Sequence, residues 1–279
     1  MELSSHLEDK SNLREIGKAQ AENAISIRDV KFRYTNRSPY VLKIENLRIQ
    51  KGEKVAVIGP SGAGKTTLMR LINGVIEHES GEVKILGETF DNGSTKSRDF
   101  RRRIGFIYQD FNLIGRASVF ENVLWGRVAY INPLFSLVGW FSIRDKQAAL
   151  SAIDEVNLIG HMNQRADTLS GGQMQRVAIA RVLAQEPEII LADEPVSNLD
   201  PALTDDILNL LVEVSENHKV TLLMNLHQTD LAQRLAERII GLRGGEIVYD
   251  SSQERLFNHV PKSLFDPEVP PLKMSKNRN

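Results

Sequence analysis

The 279-residue sequence contains no cysteine, which excludes disulfides and thiolate metal sites and permits, without requiring, a reducing cytoplasm. It has no surplus of charge either: 35 Lys and Arg against 36 Asp and Glu leave a formal net charge of −1. That balance argues against a sequence-wide basic surface for nucleic acid. Long hydrophobic runs are missing too. The opening MELSSHLEDKSNLREIGKAQ lacks an apolar core and a small-residue cleavage site, so no secretory leader is expected. The best membrane candidate, Val128 to Ile143, is shorter than the ~20 residues a span needs, and Asn132 and Pro133 interrupt it. The sequence therefore predicts no membrane crossing of its own. It holds no internal repeat or low-complexity tract. What is there is 41% hydrophobic and 25% charged residues, an ordinary globular balance with chain enough for one large domain or two small ones.

Residues 1 to about 23 are polar and aperiodic, which predicts a loosely ordered extension ahead of a folded domain over 24–250. Strand signals begin with ISIRDVKFRY and YVLKIENLRIQ, parted by a turn around Asn36 to Pro39. The continuous apolar run Val55 to Gly59 reads as a buried parallel strand. It leads through a glycine-rich loop into a helix, TTLMRLING, stopped at Gly74. GEVKILGETF reads as one short antiparallel strand, and Arg103 to Asp110 returns to the apolar strand type. From Asn112 to Ala166 the pattern is mostly helical, with Ala149, Ile153 and Val156 on one face.

Strand and helix then alternate. A helix over Gly172 to Gln185 ends before Pro187, and Glu188 to Asp193 is a buried strand. Ile207, Leu210, Leu211 and Val214 carry helical spacing, and Val220 to Leu226 is again a strand. IIGLR, Gly244-Gly245 and EIVYD form a hairpin. Such repetition predicts a parallel α/β core with antiparallel β elements and a helical subdomain inserted at about 111–167. The polar tail 251–279 is assigned no fold.

The loop Gly59-Pro60-Ser61-Gly62-Ala63-Gly64-Lys65-Thr66 fits G-x-x-x-x-G-K-[ST] at every fixed position. Glycines let backbone N–H groups turn inward around phosphate oxygens, Lys65 reaches the β- and γ-phosphates, and the Thr66 hydroxyl ligates Mg²⁺. An acidic pair, Asp193-Glu194, closes a later apolar strand. Asp193 is placed to hold Mg²⁺ directly or through water, and Glu194 to orient the attacking water. Alone, Asp-Glu at a strand end is an ordinary loop start; the phosphate loop changes its meaning.

A third motif, Leu169-Ser170-Gly171-Gly172-Gln173, makes the chain resemble the ABC ATPase family. In isolation Ser170 is a helix N-cap. The resemblance implies that this helix start points across a dimer at the γ-phosphate of a partner's ATP, as a helix N-terminus is suited to do. It further implies that Tyr34 stacks on adenine and that Gln109 touches Mg²⁺ and the attacking water. Ser197-Asn198-Leu199-Asp200 would cross the interface, and His227 would contact the γ-phosphate. On their own, Tyr34 reads as a packed aromatic and His227 as a structural residue.

The implied ATP contacts thus run from Gly59 through Thr67, with Tyr34, Ser170, Gly171, Gly172, Gln173 and Asp200. The implied catalytic residues are Glu194, His227, Gln109 and Lys65, with Mg²⁺ on Thr66, Gln109 and Asp193. The fold implied is a RecA-like P-loop NTPase. The resemblance covers roughly residues 25–250, and Met174 departs from it where many relatives carry a polar residue.

A narrower resemblance is to the ATP-binding subunits of phosphonate importers. It rests on the stretch Asn122 to Asp145, with Gly126-Arg127 and Gly139-Trp140-Phe141, and on Leu226-His227-Gln228 followed by Asp230-Leu231-Ala232. Asn225 departs slightly from the pattern before the histidine. This resemblance implies a second copy of the chain, integral-membrane permease subunits, and indirectly a periplasmic or extracellular binding protein, with no nucleic acid. It places the chain peripherally on the cytoplasmic face of the inner membrane. Phosphite or another phosphorus oxyanion stays open as cargo. So do a non-transport role in a phosphonate-degrading complex and a soluble ABC ATPase acting on nucleic acid or the ribosome. Val128 to Ile143 reads as a packed helix pair or a permease docking surface. Arg98, Arg101, Arg102 and Arg103 read as a solvated basic face, with lipid headgroups the second reading.

Overall fold

The computed structural model describes residues 22–90, 97–131, 141–252 and 264–265. The first alternating runs form β1 (Asn23–Phe32) and β2 (Leu42–Gln50), paired antiparallel with their apolar residues on one face. Next comes β3 (Lys54–Ile58), buried on both faces, which opens a second sheet and runs through the phosphate loop into α1 (Lys65–Ile72). β4 (Ser80–Ile85) and β5 (Glu88–Thr89) complete the first sheet in the order β2-β1-β4-β5. GEVKILGETF is thus two strands where one was expected: Leu86 and Gly87, at φ of 52° and 81°, reverse the chain between them.

Ser97 caps α2 (Arg98–Arg102), accepting from the Phe100 N–H, and β6 (Ile104–Ile107) follows. Arg98 and Arg101 are exposed, as a solvated face requires, while Arg102 and Arg103 are partly covered by ion pairs. Arg102 pairs with Asp99 at 2.6 Å, Arg103 bridges Glu188 at 2.5 Å and Glu88 at 2.8 Å, and Arg98 donates to the Ile131 carbonyl. Glu188 and Glu88 lie 85 and 15 residues from Arg103, so its pairing did not show in the sequence, whereas Asp99 is only three residues from Arg102.

The helical portion comprises α3 (Val119–Leu124), a 3₁₀ segment Trp125–Tyr130, α4 (Ile143–Glu155) and α5 (Gly171–Ala184). Capping boxes start all three α-helices: Ser118 with Glu121, Ser142 with Asp145, Ser170 with Gln173. Arg127, 1% exposed, ties the group together. It donates to Asp145 Oδ1 at 3.0 Å and to the Ala184 carbonyl at 2.9 Å, and lies 3.5 Å from the Tyr130 ring centre. Burial alone would raise the Asp145 carboxyl, but the Ser142 and Arg127 hydrogen bonds hold it below its ordinary value. Gly139 and Trp140, with most of the apolar insert, lie outside the described residues. Among those described, no helix is long and apolar enough to cross a membrane.

β7 (Ile189–Asp193), α6 (Pro201–His218), β8 (Thr221–Asn225), α7 (Thr229–Leu235), β9 (Arg238–Arg243) and β10 (Glu246–Asp250) finish the second sheet, ordered β10-β9-β3-β8-β7-β6. Its pairs are parallel except β10 with β9. Period-two alternation divides its side chains between two cores. Val55, Val57, Leu191 and Leu223 face the antiparallel sheet and α1, whereas Ala56, Ile58, Ile190 and Met224 face α5 and α6. Each buried Leu or Ile contributes about 1.5–3 kcal/mol relative to exposure, so covering both faces is what makes these strands uninterrupted apolar runs. Of the tail, Leu264 is buried against Gly241, a contact the sequence had not suggested; 1–21 and nearly all of 253–279 are outside the described residues.

Candidate functional site

The parallel strands end on one side of the sheet, and the chemistry-bearing residues gather there. β3 runs into Gly59, whose φ of 151° and close backbone neighbour leave no room for a side chain: an added Cβ would lie 2.0 Å from the Leu242 carbonyl oxygen. The chain then wraps through exposed Ser61 and Gly62, and buried Ala63 and Gly64, into α1. Lys65, first in that helix and 5% exposed, folds back so that Nζ donates to the Gly59 carbonyl at 2.8 Å and the Pro60 carbonyl at 3.2 Å. Burial pushes its ammonium below the lysine range, against the pull of Glu194 and Asp193. A cation disfavoured by its surroundings, at a helix N-terminus, is set to gain from an anion.

Thr66 Oγ1 donates to Asp193 Oδ1 at 3.1 Å, joining the loop to the end of β7. That spacing is close to the ~2.9 Å between neighbouring oxygens of a Mg²⁺ octahedron with bonds of about 2.0–2.1 Å. Among the described residues no group of three or more His, Asp or Glu could hold a metal. The Thr66–Asp193 pair therefore fits Mg²⁺ in the manner of a site that borrows phosphate oxygens. Glu194 follows at φ 52°, a left-handed conformation unusual for a side chain of this size. Ser197 holds it there, its hydroxyl donating to the Glu194 carbonyl at 3.0 Å. Glu194 Oε1 meets His227 Nε2 at 2.6 Å, so the residues after β7 and β8 face each other.

Tyr34 stands beside this group. Its hydroxyl lies 3.2 Å from Thr67 Oγ1, its ring meets Phe32 edge-on, and it is 54% exposed. An aromatic held by its hydroxyl and more than half exposed keeps ring surface free for stacking. Gln109 is tied in by its backbone: its carbonyl accepts from Asn198 Nδ2 at 3.1 Å, while its own amide group hydrogen-bonds to no described residue.

Ser170 to Gln173 form a separate group. Ser170 Oγ accepts from the Gln173 N–H at 3.3 Å and Gln173 Oε1 from the Ser170 N–H at 2.9 Å, so the signature is a closed capping box. Gly171 and Gly172 lie against Leu199 and Leu203, which brings Asp200, the N-cap of α6, to the same corner. Among the described residues, no hydrogen bond joins this corner to the phosphate loop.

Three supporting residues make contacts that a reading by motif does not give. Asn225 donates Nδ2 to Asp193 Oδ1 at 2.7 Å, Asn198 bridges the Gln109 and Asn198–Asp200 loops, and Arg181 donates to the Phe111 and Asn112 carbonyls. The last holds two consecutive left-handed residues, φ 54° and 53°, just after Gln109. In the sequence Asn198 stood within the Ser197–Asp200 motif and Asn225 as a polar residue closing the apolar run Leu222-Leu223-Met224, while Arg181 left no trace.

A family model described as ABC transporter matches residues 42–197. The chain is 47% identical over 242 residues to the phosphonates import ATP-binding protein PhnC of Lactobacillus acidophilus, covering 86% of this chain and 92% of that protein. Its identity to the protein of the same name from Staphylococcus aureus is 49% over 226 residues, 80% of this chain and 88% of that one. Among solved structures, the dimeric structure of a bacterial ABC transporter cassette is 34% identical with a TM-score of 0.69, covering 81% of this chain and 97% of its own. A dimeric post-hydrolysis cassette bound to ADP and Pi matches with 34% identity and a TM-score of 0.67, over 81% of this chain and 97% of its own.

Proposed function

We infer that this chain, which belongs to the ABC transporter family, hydrolyses ATP between two of its own copies to drive uptake of phosphonates through a membrane permease. Its fold is that of the ABC ATPase cassettes. The observation that carries the composite site is the division just described: a phosphate loop bonded to Asp193 through Thr66, with Glu194 and His227 beside it, and a signature helix start that, among the described residues, makes no hydrogen bond to that loop. Two copies related by a two-fold axis offer each other what each lacks.

The backbone N–H groups of Gly62 to Thr66 cradle the phosphates, and Lys65 exchanges its two carbonyl partners for phosphate oxygens. Thr66 and Asp193 would hold Mg²⁺, whose chemistry would be to neutralise charge on the phosphates. Tyr34 receives the adenine on its free face. Glu194 orients a water toward the γ-phosphorus and takes its proton as the new P–O bond forms. The bond to the β-phosphate oxygen breaks, giving ADP and inorganic phosphate. His227, 2.6 Å from Glu194, steadies the γ-phosphate, and Ser170 with the α5 N–H groups of the partner copy completes the anion site. Gln109 follows the nucleotide through Asn198 and reports to the permease.

Phosphonate as cargo rests on the names of the relatives, which describe phosphonate import. The chain works from the cytoplasmic face of the membrane, and an external binding protein delivers the cargo. The test is co-purification with a permease and uptake of a labelled alkylphosphonate into vesicles loaded with ATP. Uptake that requires ATP and is competed by unlabelled phosphonate supports the reading. Competition by phosphite alone moves the cargo to another phosphorus oxyanion, and failure to associate with any membrane partner overturns transport.

A further inference from the structure

Asn225 is wholly buried at the end of β8, in register between Val57 of β3 and Asp193 of β7. Its contact with Asp193 Oδ1 is short, 2.7 Å, and falls on the oxygen that also accepts from Thr66 at 3.1 Å. A carboxylate can only accept, so the atom facing it is the amide nitrogen. The amide oxygen is consequently turned elsewhere, and it is buried with no hydrogen-bond partner among the described residues. An enclosed acceptor without a donor weakens a fold, and the preceding Leu222, Leu223 and Met224 show that an apolar side chain would suit this strand. A group that packing does not want, kept at the edge of a reaction centre, points to a demand made by the site.

We propose that Asn225 is a positioning residue for Mg²⁺-dependent nucleotide binding. Its N–H fixes the rotation of the Asp193 carboxylate from the neighbouring strand, so that Oδ1 stays beside the Thr66 hydroxyl at the spacing a small divalent cation requires. It touches neither phosphate nor cation and acts through Asp193. The inference rests on the reading of this corner as an ATP site.

The test is Asn225→Leu in the full chain, a substitution of similar shape that removes the donor and the orphan acceptor together. A fluorescent ATP analogue is titrated in EDTA and then at rising Mg²⁺, with thermal melting recorded in parallel. The expected result is binding in EDTA equal to wild type, a melting temperature equal or higher, and a Mg²⁺ half-point raised about tenfold or more, as for residues that orient a metal ligand. An unchanged Mg²⁺ half-point overturns the proposal. A lower melting temperature with an equal loss of binding in EDTA marks Asn225 as a packing residue and overturns it too. Wild-type protein that binds no nucleotide refutes the ATP site itself, and the proposal falls with it.

Discussion

Exchanging Glu194 for Gln removes one charge and leaves nearly every atom in place. The left-handed turn at φ 52° is set by backbone and by the Ser197 hydroxyl, neither of which changes. The 2.6 Å neighbour, His227, can bond an amide as well as a carboxylate. What disappears is the group that takes the water's proton. Such groups contribute about 10²–10⁴-fold, which at about 1.4 kcal/mol per decade is about 3–5.5 kcal/mol of barrier. With its side chain only 20% exposed, Glu194 is partly shielded from water that could replace it, so a loss of about 10³-fold is expected. ATP affinity should hold, because Lys65, Thr66 and Asp193 keep their contacts. The assay pairs phosphate release with gel filtration in Mg²⁺-ATP. The variant should bind ATP, release almost no phosphate and elute as a dimer. Turnover near the wild-type rate would refute the role given to Glu194.

Two further outcomes follow from buried ion pairs. Arg127→Met leaves Asp145 without its guanidinium in a nearly closed site, and breaking a buried pair costs about 3–5 kcal/mol. Urea unfolding should show a loss in that range, and a loss below about 1 kcal/mol would contradict the pinning role. Asp250 tests pH dependence: burial opposes its charge, but the Arg238 hydrogen bonds outweigh that and hold its carboxyl below the ordinary range. Its contribution is thus complete above the unfolded value of about 4 and disappears as pH falls through the lower folded value. Asp250→Asn should melt lower than wild type at pH 7, with the gap narrowing toward pH 3; a constant gap would contradict the assignment.

The phosphate loop was legible in the sequence because its chemistry needs fixed residues at fixed spacing along one segment. The strands were legible because burial on both faces leaves continuous apolar runs such as Val55 to Ile58. The α2 and α7 helices were not, since five and seven residues are too few for a period of 3.6 to show. The contacts of Asn225, Asn198 and Arg181 were hidden for another reason: their partners lie 32, 89 and 70 residues away, and only folding brings them together. The ion pair of Arg103 was hidden on the same account, because Glu188 reaches it from 85 residues away.

The central claim is that each ATP site is shared between two copies. Lys65→Ala spoils the phosphate-loop half and Ser170→Arg the signature half, so each variant alone has no intact site. Mixing them should restore ATPase activity, because half of randomly formed dimers join an intact loop to an intact signature once, giving about a quarter of wild-type turnover. A mixture as inactive as its parents, with exchange of copies demonstrated, would contradict the shared site.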